Sequence, residues 1–226
     1  MVFKYILELE NGEKCHFEID TAKLECEYDA LQQEEHAIWT RLENFKCQCC
    51  PLQNYKYCPA AVDIEEIAER FRKVLSWEKV KVTVLTDVRA YQTECDTQRG
   101  LMSLYGLIMA NSNCPVLSRM KPLARTHVPI PTEEETITRV VGTYLIKQYL
   151  LYKNHDAKPD WDLTELIRLY GDLEQVNLAL SKRLRSASEA DANINAIISF
   201  HSISSIFALE LENMLEEMRD LLVDGF

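Results

Sequence analysis

The chain has 226 residues, 47% of them hydrophobic, enough to bury a sizeable core as one large domain or two small ones. Twenty-five Lys and Arg against thirty-six Asp and Glu leave a formal charge of -11, which opposes sequence-independent attraction to phosphate backbones or anionic lipid. Neither nucleic acid nor a membrane is therefore expected as a partner. The N-terminal MVFKYILELENGEK lacks an apolar core and a cleavage site, and no run of eighteen apolar residues occurs, so a cytoplasmic chain is expected, with its thiols kept reduced.

In chain order, Phe3, Tyr5, Leu7 and Leu9 alternate with polar positions, Asn11-Gly12 offers a two-residue type I′ turn, and Cys15, Phe17 and Ile19 resume the alternation. A first β-hairpin is predicted. An acidic, loop-like stretch around Gln32 to Glu35 precedes Ile38, Trp39, Leu42 and Phe45, which are expected to pack beneath the cysteines that follow. Asp63 with Glu66 reads as a capping box opening a helix to about Trp77, its inner face Ile64, Ile67, Ala68, Phe71, Val74 and Leu75. Val80, Val82 and Val84, then Val88 to Cys95, predict a second hairpin.

From Thr97 the pattern becomes helical. Leu101, Leu104, Tyr105, Leu107 and Ile108 fit a buried helix ending near Asn113-Cys114-Pro115, and a loop with prolines at 115, 122, 129 and 131 follows. Thr132 and Glu135 make a second capping box, and two longer helices are predicted over about Leu163 to Arg185, opened by Asp162 with Glu165, and Glu189 to Val223. The expected class is α+β: a small antiparallel sheet of two hairpins with helices over 1–128, and a mainly helical region over 129–226 that can form one domain with the first.

The densest chemical signal is KCQCCPLQNYKYCPAA, Lys46 to Ala61. Cys47 and Cys50 stand in a C-x-x-C arrangement whose tight turn aims two thiolates at one metal; Cys58 and Cys114, each followed by proline like Cys50, complete a four-thiolate set. Structural zinc is the leading reading, because closed Cys₄ sites contribute directly to stability. An iron-sulfur cluster is the alternative, although the closely spaced ferredoxin run of four cysteines is missing. A third reading leaves the thiols free, with Cys49 as the spare redox thiol. Cys15, Cys26 and Cys95 read as packing residues.

Arg99, at a helix start, and Arg119, Lys121, Arg125 and His127, in RMKPLARTHVP, form a candidate anion-binding set for a phosphate or carboxylate near the cysteine end, against the plainer reading of charge neutralisation. Asn177, Arg183, Arg185, Asp191, Asn193, Asn195 and His201 straddle the turn between the last two helices; Asn193 and Asn195, weak helix formers near an apolar face, are expected to enter a buried hydrogen-bond network that fixes the pair rather than a ligand site. Leu211, Met214, Leu215, Met218, Leu221 and Leu222 make a terminal stripe, suited to core or to a dimer through the C-terminal helices. No G-x-S-x-G, H-E-x-x-H or Walker loop occurs, and six glycines are too few for a nucleotide cradle, so catalysis is not expected.

Together, WTRLENFKCQCCPL, YCPAA, QRGLMSLYGLIMANSNCP, MKPLARTHVPIPTEEET, DWDLTELIRLYGDLEQVN and RLRSASEADANINA resemble an uncharacterised bacterial family, a domain of unknown function, from Trp39 to Ala196. That family's pattern of C-x-x-C-P-L, C-P and C-P falls on Cys47, Cys50, Cys58 and Cys114 and leaves Cys49 inside the spacer. The resemblance supports the ligand choice and implies no activity. The function expected is a metal-stabilised regulatory or interaction protein that meets another protein or a second copy of itself, with an iron-sulfur or thiol-based redox or sensor protein, and an enzyme or binder for a small anionic ligand, as the alternatives.

Overall fold

The computed structural model describes residues 1–22, 34–155 and 157–223. Cys26 and part of the expected acidic loop lie outside them, as does the Leu221 side chain.

Strands β1 (Val2–Leu9) and β2 (Lys14–Asp20) form the first hairpin, and β3 (Lys79–Leu85) and β4 (Ala90–Asp96) the second, giving one antiparallel sheet in the order β2-β1-β3-β4. Alternation places Phe3, Tyr5, Leu7, Cys15, Phe17, Val80, Val82 and Val84 on one buried face. The first turn differs from the expected two-residue form. Leu9 donates its N–H to Glu13 O at 2.9 Å, so the loop has three residues, Glu10, Asn11 and Gly12, and only Gly12 takes a positive φ, of 84°. Asn11 instead accepts from Glu13 N at 2.8 Å through its side chain, which stabilises the turn without leaving the right-handed region.

Five helices are short or medium: α1 (Pro59–Asp63), α2 (Glu65–Arg70), α3 (Thr97–Ala110), α4 (Lys121–Arg125) and, beyond the long ones, α8 (Arg219–Val223). The long ones are α5 (Glu133–His155), α6 (Thr164–Ala187) and α7 (Ala192–Glu217). The helix expected to start at Asp63 begins four residues earlier, because Pro59 is pre-set for a first helical position, and it breaks at Ile64. Asp63 does not cap. Its carboxyl turns inward, one oxygen sealed and unpartnered, and burial, offset by Ser112, raises its pKa to about 6.

The capping box of α5 is formed in both directions: Thr132 N donates to Glu135 Oε2 at 2.8 Å and Glu135 N to Thr132 Oγ1 at 3.2 Å. For α6 the cap is Asp160 rather than Asp162, accepting from Thr164 N at 3.1 Å and Glu165 N at 2.9 Å. Leu163, at φ 56°, makes the tight approach that lets Asp160 reach the first turn.

Helix α3 crosses the buried face of the sheet, and α7 packs along both α6 and α3. One hydrophobic core runs unbroken from Phe3 and Val82 through Leu104 to Leu180, Phe207 and Met218, so buried residues on both sides of the 128/129 boundary share it. By length and composition α7 can cross a membrane, a property it shares with core helices. Its inner face buries Ala196, Ile197, Phe207 and Leu211 against the fold.

The expected polar network at the last turn ties α7 to its neighbours. Asn193, fully buried, accepts from Tyr105 Oη at 2.7 Å and donates to Ala68 O at 2.9 Å, while Asp191 accepts from Ser76 N and Oγ at 2.8 and 2.9 Å. Truncating Asn193→Ala strands two buried groups at about 1–3 kcal/mol each. Urea unfolding should show that full loss, against about 1 kcal/mol for Tyr105→Phe.

Gly100 brings α3 onto the sheet: a Cβ there would lie 3.0 Å from Val82 Cγ2 and 3.1 Å from Val80 Cγ1. Both neighbours are fully buried β-branched residues with no room to turn aside. Gly100→Ala is expected to cost about 1–3 kcal/mol through overpacking, despite alanine's better helix propensity. A denaturant midpoint at or above the wild type's would show that the helix simply shifts.

Candidate functional site

The cysteine site is built from three segments. Cys50 N donates to Cys47 O at 3.1 Å, closing the tight turn that the C-x-x-C spacing predicts. Cys58 N donates to Thr40 O at 2.8 Å and Leu42 N to Lys56 O at 2.9 Å, so residues 40–42 and 56–58 run as a short antiparallel pair that carries Cys58 to the mouth of α1. Cys114 follows α3, its N–H held by Ser112 Oγ at 3.0 Å and its carbonyl accepting from Ser118 N at 2.8 Å. Cys58 and Cys114 are buried, and Cys47, Cys49 and Cys50 pack half-buried against the same core. All seven described cysteines are free of disulfides.

These five thiols feel one another. Burial first, then the neighbouring Cys50, Cys58, Cys49 and Cys114, pushes the Cys47 thiol far up; burial first, offset by its own backbone contacts, pushes Cys114 to about 12, with Cys58 and Cys50 adding to the rise. The backbone N–H groups of Ala61 and Ala60 aim at the Cys58 sulfur, and those of Leu117 and Val116 at the Cys114 sulfur, each favouring a thiolate. Cys49 donates its S–H to Asp172 O at 3.5 Å on α6 and also touches Cys47 and Cys50. Burial and Asp172 raise the Cys49 thiol too, so little of it is thiolate at neutral pH. Among the described residues no three His, Cys, Asp or Glu side chains stand close enough to hold a single metal ion, so the thiols are gathered without being closed to single-ion distance.

Arg183 stands beside them, 2% exposed although it is the largest fully buried side chain. Its guanidinium donates to Trp39 O at 2.9 Å, to Leu42 O at 3.1 Å and to Arg41 O. Burial lowers its pKa, and the groups that oppose this are Cys58, Cys47 and Cys50; among the described residues no carboxylate pairs with it. A buried cation without a counter-charge costs several kcal/mol, so a negative charge on these sulfurs is what the position calls for. The apolar residues expected beneath the cysteines serve only in part. Leu42 is buried and Trp39 packs at the margin, whereas Ile38 and Phe45 are 74% and 51% exposed.

The five cations expected to share an anion pocket are distributed over several places. Arg99 lines a hollow with Tyr91, Gln92 and Pro129 beside β4, and Arg119 lines another with Tyr144 and Glu165 and pairs with Asp172 at 3.6 Å. Lys121 opens α4 and Arg125 ends it, exposed. His127 turns inward, its Nε2 2.5 Å from Tyr5 Oη, which in turn is 2.8 Å from Ser103 Oγ. Sequence reasoning missed Arg139, which donates to Thr126 O at 3.1 Å and Leu123 O at 3.2 Å from α5, because one arginine in a long amphipathic helix carries no local signal.

Burial first, then Arg139, drops the His127 pKa from 6.5 to about 3. The folded state thus holds a neutral imidazole where the unfolded chain takes up a proton, and the stability His127 confers is complete above about pH 6.5 and lost as pH falls towards 3. Between pH 7 and pH 5 the wild type should lose up to about 2 kcal/mol more than His127→Gln in urea unfolding, and parallel losses would show that the ring is already charged in the fold.

No curated protein and no solved structure matches the chain significantly. Its sequence matches a family description, the domain of unknown function DUF6901, over residues 2–223, and the chain belongs to that family.

Proposed function

We propose that the chain is a metal-stabilised regulatory or protein-interaction protein in which Cys47, Cys50, Cys58 and Cys114 hold the metal. The observation that carries this is the meeting of Cys58 with Cys47 and Cys50 at a buried arginine that has no carboxylate partner among the described residues, with Cys114 next to Cys58 and Cys50. The donor set fits the group chemically: four soft sulfurs, two of them met by backbone N–H groups as coordinated thiolates are. Zinc bound there would supply cross-linking of the turn at 47–50, the start of α1 and the end of α3, with no redox chemistry of its own. Arg183 then neutralises part of the negative charge and holds the carbonyls of Trp39 to Leu42. Ile206 and Leu209 of α7, 44% and 81% exposed, offer an apolar face to a partner protein or a second copy.

An iron-sulfur cluster is the second reading, because its ligands are thiolates of the same kind. A tetrahedral zinc with Zn–S bonds of about 2.3 Å draws its sulfurs to roughly 4 Å from each other, whereas a cluster distributes them over several irons and tolerates a wider set. Free, reactive thiols are the reading that the raised pKa values of Cys47, Cys49 and Cys114 oppose.

Elemental analysis with a visible spectrum, on protein purified without oxygen, tests this directly. One equivalent of zinc in a colourless protein, absent from Cys50→Ser and Cys114→Ser but retained in Cys49→Ser, is the expected result. Iron with sulfide and a brown colour would select the cluster, and a metal-free wild type would remove the central claim. Arg183→Met should lower metal content while Arg185→Met, at the exposed end of the same helix, leaves it unchanged.

A further inference from the structure

Behind α4, the helices α3, α5, α6 and α7 enclose a cavity of about 160 Å³ that is separate from the thiols. Its walls are mostly apolar, with Met102, Met109, Leu117, Leu173, Phe200 and Ile203 facing in. A cavity of about 150 Å³ accommodates a benzene-sized body. Among the polar groups that break the apolar lining, three have unused capacity.

Asn177, 3% exposed, donates to Ser204 Oγ at 3.1 Å while its Oδ1 is sealed from solvent with no partner. Turning the amide over only exchanges which of its two atoms is stranded, since Ser204 satisfies one of them. Arg139 spends Nε and Nη2 on the carbonyls of Thr126 and Leu123 and leaves Nη1 without an acceptor. Among the described residues it has no ion pair; the nearest carboxylate to act on it, Glu135, is committed to Thr132 N. Tyr170, stacked on Phe207 at 4.5 Å between ring centroids, makes no hydrogen bond through its hydroxyl among the described residues. His127 adds no second charge, because it faces Tyr5 as a neutral ring.

We propose that this cavity binds a small monocarboxylic acid with an apolar body about the size of a benzene ring, its carboxylate taken by Arg139 and Tyr170 and its body seated among the methionines and Phe200. A half-buried guanidinium with an N–H that meets no acceptor among the described residues selects an anion; apolar walls reject the hydrated phosphate that a surface cluster of lysines would prefer. Asn177 lies on the cavity wall beyond the head group, so an acid carrying one further polar substituent on its body gains over the plain one. This site does not depend on the thiol centre.

Titration of the full-length protein with benzoate, followed calorimetrically and by thermal shift, is the test, with benzyl alcohol and inorganic phosphate as controls. Benzoate should bind saturably at millimolar concentration or tighter, about tenfold more tightly than benzyl alcohol. Arg139→Met, which keeps the stem, should erase that preference, and Ile203→Phe, which fills the cavity away from the head group, should abolish binding of both. Hydroxybenzoates should include one that outbinds benzoate in the wild type but not in Asn177→Leu. Absence of benzoate binding, equal competition by phosphate, or benzoate binding unchanged in Ile203→Phe would each overturn the proposal, and the last applies even where Arg139→Met does not fold.

Discussion

The burial of Arg183 is the constraint around which the rest of this fold is arranged. A guanidinium removed from water needs both hydrogen-bond acceptors and negative charge, and it finds the first in three carbonyls of the one stretch from Trp39 to Leu42. Among the described residues the second can come only from thiols, which ionise beside a metal and otherwise hold their protons. One side chain thus sets the path of the segment leading into the cysteines and the electrostatic demand at the cysteines themselves.

Helix α6 carries that arginine and distributes its influence. The same helix presents Asp172, whose carbonyl accepts from Cys49 and whose carboxylate pairs with Arg119, and then Tyr170, Leu173 and Asn177 on the cavity wall. Leu117 and Met120, which face the cavity, follow Cys114 by a few residues in the turn whose amides point at its sulfur. The thiols and the cavity are therefore neighbours on one rigid element.

Much of the architecture is legible in the sequence because it is written in short-range patterns. Period-two alternation marks β1 and β3, Thr132 with Glu135 marks the start of α5, and the Cys-Pro pairs mark the thiols. What escapes is fixed by distant partners. Asp63 has the spacing of a cap but is buried, and Pro59 starts the helix in its place; Asp160 overrides Asp162 because Leu163 takes a left-handed conformation. The cations of 119–127 look like one group in sequence, yet a 3₁₀ turn over Leu117–Met120 and the short α4 send them in different directions. Arg139 and Asn177 acquire meaning only once α5 and α6 are brought together over α3.

The bonds from Arg183 to the carbonyls of Trp39, Arg41 and Leu42 span more than 140 residues of chain. During synthesis the whole sheet and the cysteine turn leave the ribosome well before their arginine does, with α6 and α7 still to come as cover for α3. The N-terminal half therefore emerges with its apolar sheet face uncovered and its thiols exposed to any passing oxidant or metal. Long-range closure of this kind is slow, so the sheet face and the thiols stay uncovered until α6 and α7 have been made and docked.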